Sequence, residues 1–368
     1  MKKNSIASKS SRPKDKGHQW IIGLDLGDKS SRYCVLDKNG EVVQEGSVGS
    51  ARKAIAGLFG GMARCRIALE VGTHSPWVSR LLESLGHEVY VANARQVKLI
   101  SESSRKNDRL DAQMLARLAR VDPQLLRPIQ HRSEQAQAHM TVIRVRAALV
   151  DSRSELVSTA RGLSKSMGER LASCDPDQMR VERLEGLPEG LRTALRPLIE
   201  AVESLTAKIQ ALDQEIEQIA RKHYPETILL QQVSGVGILI ALTFVLTIED
   251  KQRFTKSRDV GCYVGLRPKQ SESGESAPQL RISKEGDIYL RKLLVQGAHC
   301  ILSPRGPDTD LKRWGLRLCA RGGKNAKKRA VVAVARKLAI LLHRLWVTGE
   351  VYEPLQNSRA AKASSQAA

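Results

Sequence analysis

Short hydrophobic runs separated by polar turns dominate the first third of the chain. The stretch WIIGLDLG at 20–27 is typical of a buried strand, and SRYCVLD at 31–37 predicts a second one. Asn39-Gly40 lies between this second run and EVVQEGSV at 41–48, and it predicts a hairpin. The expected turn is type I′, because both central positions of that turn need a positive φ. The chain therefore opens with three strands joined by hairpins.

Helical and strand periodicities alternate after the third strand. The pattern predicts helices at 51–60, 75–86 and mostly throughout 94–121, with further strands at 65–71 and 87–92. Three hairpin-joined strands followed by such an alternation favour a mixed five-stranded sheet with helices on its faces. This is the α/β layout of an RNase H-like (RuvC-like) domain. We assign it to 20–130, after a basic flexible tail at 1–19.

Longer helical patterns follow over 131–222. Two stretches, 131–171 and 189–222, flank a segment that contains prolines and glycines. The seam of the second stretch has apolar residues at spacings of three and four: Leu198, Ile199, Val202, Leu205, Ile209, Leu212, Ile216 and Ile219. This seam predicts a helical hairpin or coiled-coil arm for dimerisation or spacing. A purely structural arm is the open alternative.

A mainly α-helical C-terminal domain is predicted over 223–350. Near its start, VSGVG precedes the apolar run ILIALTFVLTI. Gly235 and Gly237 would let backbone N–H groups approach a phosphate at the start of a helix, as in a helix-hairpin-helix DNA-binding element. A simple tight turn is the alternative. The Ala/Ser/Gln-rich residues 351–368 are predicted to be a disordered tail.

Composition adds a polyanionic partner to this layout. The 368 residues include 60 Lys+Arg against 39 Asp+Glu, which gives a formal net charge of +21, and only 4% of residues are aromatic. Residues 251–348 alone carry 22 basic and 7 acidic residues. Such a concentration of positive charge indicates contact with phosphates. The scarcity of aromatic residues argues against a dedicated single-strand binding module.

Several other classes of protein are excluded by the same composition. No run of about 18 apolar residues exists, so we expect no membrane span. The basic N-terminus lacks the apolar stretch of a secretory signal. The six cysteines include no CxxC pair and the histidines no HxxxH or HExxH spacing, which argues against a disulfide framework or a zinc site. We therefore expect a cytoplasmic protein without a membrane partner.

Four carboxylates stand out by their position in the predicted elements. Asp25 ends the first strand and Glu70 ends the fourth, and these strands are neighbours in an RNase H-like sheet. Asp108 and Asp111 are three residues apart and so share one face of a helix. Clustered carboxylates repel one another unless a cation neutralises them, and oxygen ligands select Mg²⁺ or Mn²⁺. Two such ions about 4 Å apart are the usual machinery of phosphodiester cleavage.

Each carboxylate also has an ordinary structural explanation. Asp25 and Glu70 fit turn or cap residues at strand ends. Asp108 fits a helix N-cap, and Asp111 fits a first-turn acid that the helix dipole favours. The metal-site hypothesis depends on all four falling where the fold converges.

The sequence around these carboxylates resembles the DEDD insertion-sequence transposases. The motifs that carry the resemblance are IGLDLGDKSSRYCVLD, LEVGTHSPW, KNDRLDA and a C-terminal stretch that begins RFTKSRDVGCYVGLRPKQ. VSGVG resembles the family's Val-Pro-Gly-Val-Gly turn, with Ser234 in place of proline. Asn107 and Leu110 stand where the family often has Thr and Ile. The resemblance extends over about residues 20–345 and includes all the candidate catalytic groups.

This resemblance implies a RuvC-like domain, a coiled-coil connector and a C-terminal transposase domain, in the group that includes bridge-RNA-guided recombinases. It also implies a nucleophilic serine just before a glycine, and Ser273 fills that place in GLRPKQSESG. Ser271 and Ser276 are nearby rivals, and the sequence alone indicates only a flexible loop. Activated by a base or a metal, Ser273 would attack the scissile phosphate and form a covalent phosphoserine intermediate. A composite site would require the C-terminal domain to dock on the RuvC-like domain of the same or another subunit.

Basic residues of the C-terminal domain are expected to position nucleic acid. Phosphate contacts hold RNA and DNA backbones without reading sequence. Sequence choice would then belong to a guide RNA, as the resemblance implies. The expected contacts are Lys256, Arg258, Arg267, Lys269, Arg281, Lys284, Arg291, Lys292, Arg321, Lys324, Lys327, Lys328 and Arg329.

Three functional hypotheses follow. The first is an RNA-guided transposase that acts on double-stranded DNA as a homodimer or homotetramer, with one or two metal ions held by the four carboxylates. The second is a RuvC-like junction resolvase or nuclease that uses metal-activated water and no serine. The third is a non-catalytic nucleic-acid scaffold.

Overall fold

The computed structural model describes residues 20–93, 107–274, 276, 278 and 280–356. The predicted tail at 1–19, residues 94–106 of the predicted helical stretch at 94–121 and residues 357–368 of the predicted C-terminal tail lie outside this description. The chain divides into two compact units, residues 1–131 and residues 132–368. In the part of the chain that is described, no helix is both long enough and apolar enough to cross a membrane.

A mixed five-stranded sheet forms the centre of the first unit. Its strands are β1 (Ile21–Asp25), β2 (Ser30–Leu36), β3 (Val42–Gly49), β4 (Arg66–Glu70) and β5 (Glu88–Ala92). The order across the sheet is β3-β2-β1-β4-β5, in which β1 pairs antiparallel with β2 and parallel with β4. The predicted mixed sheet is confirmed, and its topology is compatible with an RNase H-like fold.

Helices cover both faces of this sheet. They are α1 (Arg52–Phe59), α2 (Ser75–Ser84) and α3 (Asp108–Val121). Alternation along the strands builds two cores: Ile22 and Leu24 pack with the residues of α1 and α2, whereas Ile21 packs with those of α3. Successive side chains of β1 therefore serve opposite faces, and the odd-numbered ones face α3.

The hairpin between β2 and β3 is confirmed, but its predicted turn type is wrong. Gly40 has a φ of +92°, whereas Asn39 is not among the residues with a positive φ. The Gly40 N–H donates to the Asp37 carbonyl at 3.1 Å, which gives a three-residue loop that ends in a left-handed glycine. The Asp37 carboxylate accepts from the N–H groups of Asn39 and Glu41. These backbone hydrogen bonds, that of Glu41 first, lower the pKa of Asp37 and select this turn.

Two long helices begin the second unit: α4 (Glu134–Ser166) and α5 (Glu189–His223). They pack antiparallel, since Arg146 pairs with Asp213 at 2.8 Å and Arg153 donates to Thr206 at 3.2 Å. The helical hairpin expected over 131–222 is therefore present. Its description as a coiled coil stays a prediction.

Among the described residues of this unit, six further α-helices follow: α6 (Thr227–Leu230), α7 (Ile238–Ile248), α8 (Arg258–Tyr263), α9 (Ile288–Leu302), α10 (Asp310–Ala320) and α11 (Ala326–Thr348). Their core includes Phe244 and Leu338, and it extends to Ile143 of α4 and Ile216 of α5. The roots of the two long helices thus share one core with the C-terminal helices. The three-domain division stays a prediction.

Candidate active site

Asp25 and Glu70 end two neighbouring parallel strands. The register pairs Leu24 with Leu69, so Asp25 and Glu70 occupy the next pair of adjacent positions on the two strands. Leu24 and Leu69 belong to the core on the α1 and α2 side of the sheet. Because side chains alternate along a strand, Asp25 and Glu70 belong to the opposite face, which α3 covers. Both residues are half-buried.

Helix α3 rests directly on β1 at Gly23. A Cβ added to Gly23 would lie 1.8 Å from the Ala112 carbonyl oxygen and 2.6 Å from the Ala116 nitrogen. Towards the other end of the helix, Arg66 at the start of β4 donates to the Ala119 carbonyl at 3.3 Å. The helix therefore runs antiparallel to β1 and β4. Its N-terminus lies at the edge of the sheet where Asp25 and Glu70 end.

Asp108 and Asp111 occupy the first turn of α3 at this edge. Asp25 lies two residues beyond Gly23, or about 6.6 Å along the strand. Asp108 lies four residues before Ala112, or about 6 Å along the helix. Measured from the contact between Gly23 and Ala112, Asp25 and Asp108 therefore lie at about the same height along the sheet. Asp111 is buried, with 8% of its surface exposed, while Asp108 is exposed. The backbone thus brings all four predicted carboxylates to one edge of the sheet.

The cap of α3 settles one alternative interpretation. Asn107, not Asp108, is the N-cap, and its side chain accepts from the Arg109 N–H at 3.0 Å. Asp108 is therefore free of the capping role that would otherwise account for it. Both aspartates stay favourably placed near the positive end of the helix dipole.

An ion pair joins the first turn of α3 to the sheet. Arg109 contacts Glu45 of β3 through an Nε–Oε2 distance of 2.6 Å. Glu45 also lies opposite Cys34 of β2. Burial first, and then the charge of Glu45, raise the pKa of the Cys34 thiol to about 11, so this cysteine is not a nucleophile for the site. No motif in the sequence marks Glu45 as part of this region.

Loops that follow the two strand ends meet next to the carboxylates. His74 Nε2 lies 3.5 Å from Asp28 Oδ1, and Trp77 Nε1 donates to His74 Nδ1 at 3.1 Å. Because Nδ1 accepts this bond, Nε2 carries the proton in the neutral ring. In this arrangement His74 Nε2 is a hydrogen-bond donor towards Asp28. The motif LEVGTHSPW contained this signal, which sequence analysis used only for Glu70.

The donor set of this edge fits a hard divalent cation, because carboxylate oxygens are the ligands that Mg²⁺ and Mn²⁺ prefer. Among the residues that the structure describes, no three His, Cys, Asp or Glu side chains lie close enough together to hold a metal ion. The four carboxylates therefore share one edge without forming a closed cage.

Ser273 lies at the tip of an exposed hairpin whose two arms are joined by isolated β-bridges, here called the serine hairpin (residues 265–284). Lys269 N–H donates to the Arg281 carbonyl at 2.9 Å, and Ser283 N–H donates to the Arg267 carbonyl at 2.8 Å. At the tip, Ser273 and Ser276 exchange backbone hydrogen bonds of 3.1 and 3.2 Å. Ser271, Ser273 and Ser276 are all exposed. A hairpin thus replaces the loop expected from sequence.

Arg291 holds together the base (root) of the serine hairpin by hydrogen bonds to both of its ends. Only 9% of this residue is exposed, and its Nη1 donates to the carbonyls of Val264 at 3.0 Å and Glu285 at 2.6 Å. Burial lowers the pKa of its guanidinium. Helix periodicity turns this side chain inward, so Arg291 supports the hairpin root, and its contact with nucleic acid stays a prediction. The other predicted basic residues are exposed.

Five of those exposed residues surround one groove in the second unit. The hairpin groove has a volume of about 1010 Å³ and lies between the serine hairpin and helices α10 and α11. Its lining includes Arg281, Lys284, Lys324, Lys328 and Arg329. Sequence-distant parts of the basic region thus converge on one surface.

The glycine turn before α7 has mainly a packing role. Gly235 has a φ of +83°, and a Cβ there would lie 2.8 Å from the Gly297 carbonyl of α9. Gly237 is the N-cap of α7, with no atom of the described residues within 4 Å of an added Cβ. The close approach predicted at Gly235 is therefore made to a helix, while Gly237 has open space beside it.

Two family models match the chain in the regions that hold these features. Residues 22–166 match the model for DEDD transposases of the IS110 type, whose description is "Transposase". Residues 228–311 match the model described as "Transposase IS116/IS110/IS902 family". The first match contains all four carboxylates, and the second contains Ser273.

Curated relatives extend this similarity over most of the chain. A Coxiella burnetii protein named transposase for insertion sequence element IS1111A is 28% identical over 341 residues, 90% of this chain and 91% of that protein. A probable family 20 transposase of Pseudomonas aeruginosa is also 28% identical, with 90% and 98% covered. The transposase for insertion sequence element IS1328 of Yersinia enterocolitica is 28% identical, with 76% and 82% covered.

Proposed function

We propose that this chain cuts and exchanges DNA strands to move an insertion sequence, since two of its regions match models of IS110-type transposases and its curated relatives are named transposases. The observation that carries the proposal is that the backbone places Asp25, Glu70, Asp108 and Asp111 at the same edge of the sheet. Phosphodiester cleavage needs oxygen ligands that can be brought together around a cation, and four carboxylates at one edge provide them.

In this proposal the four carboxylates hold one or two Mg²⁺ or Mn²⁺ ions. A bound ion supplies Lewis-acid polarisation of the scissile phosphate. The residues of the chain then fix where the phosphate lies. Arg109 and Glu45 keep the first turn of α3 on the sheet, and His74 presents its Nε2–H beside the strand ends.

Ser273 is proposed as the nucleophile. Its Oγ forms a bond to the phosphorus of the scissile phosphodiester, and the bond from phosphorus to the leaving sugar oxygen breaks. The hydroxyl proton leaves Ser273, and the released sugar oxygen takes up a proton. The product is a phosphoserine ester, which a hydroxyl of a second strand attacks in turn to restore Ser273. The exposed tip of the serine hairpin supports this role.

Double-stranded DNA at the element ends and at the target is the proposed substrate. The exposed basic residues of the C-terminal region support backbone contacts without base selection. A structured guide RNA would then select the sites. Since recombination joins two DNAs, we propose a homodimer or homotetramer that works in the cytoplasm.

Substitution of the serine tests the mechanism. In an assay of strand cleavage with purified protein and Mg²⁺, Ser273→Ala should abolish cleavage and the covalent protein–DNA adduct, because no other group would form the ester. Ser271→Ala, the matched control two residues away, should retain both. Full cleavage by Ser273→Ala without an adduct would instead establish a nuclease that uses water.

The guide RNA has its own test. RNA that copurifies with the expressed protein is sequenced, with the gene kept in its flanking DNA. A single structured species encoded beside the gene supports a guide. Random cellular RNA alone would contradict this part of the proposal and leave the catalytic part standing.

A further inference from the structure

The hairpin groove has an apolar floor beneath its basic rim. Hairpin residues supply Leu266, Pro268 and Ile282, while the helices supply Leu318, Val332 and Ile340. On one side lies Trp314, with the Lys337 ammonium 4.1 Å from its ring centroid. No Asp or Glu is found among the described residues that line the groove. The surface therefore combines a region that excludes water with one that attracts anions.

This combination selects among nucleic-acid ligands. A duplex keeps its bases stacked inside and offers mainly phosphates to a basic wall, so an apolar floor would add nothing to its binding. An unpaired nucleotide offers both a flat base with an apolar face and a phosphate. Such a nucleotide fits the floor with its base and the rim with its phosphates.

Arg336 also lines the groove and adds to its positive charge. Its Nε atom is fully buried beside Gly261. The exposed basic residues of the rim, and not this atom, are therefore the donors that a phosphate can reach.

We propose that the hairpin groove holds an unpaired nucleotide of the DNA strand that is cut at Ser273. The hairpin that forms one wall also carries Ser273, and the five residues from Pro268 to Ser273 span at most about 17 Å. A strand at the hairpin tip thus passes the groove within a few nucleotides. The choice of this strand rests on the proposed function, whereas binding of an unpaired nucleotide does not.

Base removal tests the proposal without any change to the groove. The full-length Ser273→Ala protein, without divalent metal, is titrated with a short fluorescein-labelled DNA strand and with the same strand carrying abasic sites. We expect the abasic strand to bind about tenfold more weakly, as loss of a stacked base predicts. Equal affinities would overturn the proposal. The RNA strand of the same sequence binding more tightly than the DNA strand would overturn the assignment to DNA.

Substitution of a residue in the groove floor by a charged one tests the same proposal from the side of the protein. Val332→Glu places a carboxylate in the groove, and Val347→Glu places one on the exposed end of the same helix. Val332→Glu should remove the preference for the intact strand over the abasic strand, while Val347→Glu should keep it. Retention of the preference by Val332→Glu would count against the groove. DNA strand cleavage by the unmodified protein with Mg²⁺ is measured in a separate assay. Loss of the preference for intact strands and absence of cleavage are therefore independent results, the first against this inference and the second against the proposed function.

Discussion

A single missing side chain sets the distance between β1 and α3. At Gly23 the helix backbone lies where a Cβ would otherwise be, 1.8 Å from the Ala112 carbonyl oxygen. Any larger residue must push α3 outward, since the obstacle is backbone and not a flexible side chain. The first turn of α3 carries Asp108 and Asp111, so this contact also sets their position relative to Asp25 and Glu70.

Gly23→Ala should therefore destabilise the first unit and weaken cleavage together. Overpacking of this kind costs about 1–3 kcal/mol of unfolding free energy. Gly57→Ala is the matched control, because Gly57 lies on the exposed face of α1 with no described atom within 4 Å of an added Cβ. That change should stabilise by about 0.5–1 kcal/mol. Thermal unfolding of both variants checks the pair, and equal effects would contradict the packing account.

At the scale of elements, the root of the serine hairpin is held by close backbone packing and one buried guanidinium. A Cβ at Gly265 would lie 2.2 Å from the Glu285 carbonyl oxygen, and one at Gly286 would lie 2.0 Å from that of Tyr263. Arg291 joins the carbonyls on both sides of the root. The hairpin can therefore present an exposed tip from a fixed base.

Arg291→Ala should loosen this base. Two carbonyl groups would lose their donor, at a cost of about 2–3 kcal/mol of unfolding free energy. Lys292→Ala, at the exposed neighbouring position, should change stability by less than about 0.5 kcal/mol. Hydrogen exchange of the amides of Lys269 and Ser283 measures the loosening directly. Unchanged exchange at these amides in Arg291→Ala would contradict the role given to this arginine.

The pattern of each element was predictable where burial dictates it. Four of the five strands and the two long helices follow from hydrophobic periodicity, because each places buried residues in a core. β3 has no buried residue, and it follows instead from the Asn39-Gly40 turn signal that precedes it. The geometry of turns and the direction of individual side chains could not be predicted from hydrophobic periodicity. Asp37 selects the turn after β2 through its own hydrogen bonds, and Arg291 lies on the buried face of α9, where composition alone suggested a phosphate contact.

At the scale of the whole molecule, the basic surface is assembled from distant segments. The lining of the hairpin groove brings Arg281 together with Lys328, although 46 residues separate them. The identity of the basic residues follows from the sequence, but their convergence on one groove depends on how the hairpin packs on α11. The common edge of the four carboxylates follows from strand order and helix spacing, whereas their role as a metal site stays a prediction.

A buried histidine makes the stability of the second unit depend on pH. His343 is 1% exposed, donates from Nε2 to the Lys251 carbonyl and accepts from Ser257 at Nδ1. Burial lowers the pKa of His343 below its usual value. Below about pH 6.5 the unfolded chain therefore takes up a proton that the folded protein resists, and stability is lost as the pH falls.

The unfolding temperature should thus decrease between pH 7 and pH 5. His343→Gln keeps a donor and an acceptor but cannot take up this proton, so its unfolding temperature should depend less on pH. His299→Gln, at an exposed site on α9, serves as the control and should keep the dependence of the unmodified protein. An unchanged pH dependence in His343→Gln would rule out this histidine as the cause.

Metal-dependent cleavage by a charge-deleted variant is the most direct test of the central claim that the carboxylates at the sheet edge form the catalytic centre. Asp111→Asn removes one charge from the first turn of α3. Asp122→Asn removes one at the other end of this helix, where the Asp122 side chain caps the short helical turn Pro123–Leu126 and asparagine is an equally good cap. With DNA and Mg²⁺, Asp111→Asn should lose at least about a hundredfold in cleavage rate while it keeps DNA binding and its unfolding temperature. Asp122→Asn should cleave normally. Cleavage by Asp111→Asn at the rate of Asp122→Asn would contradict the account.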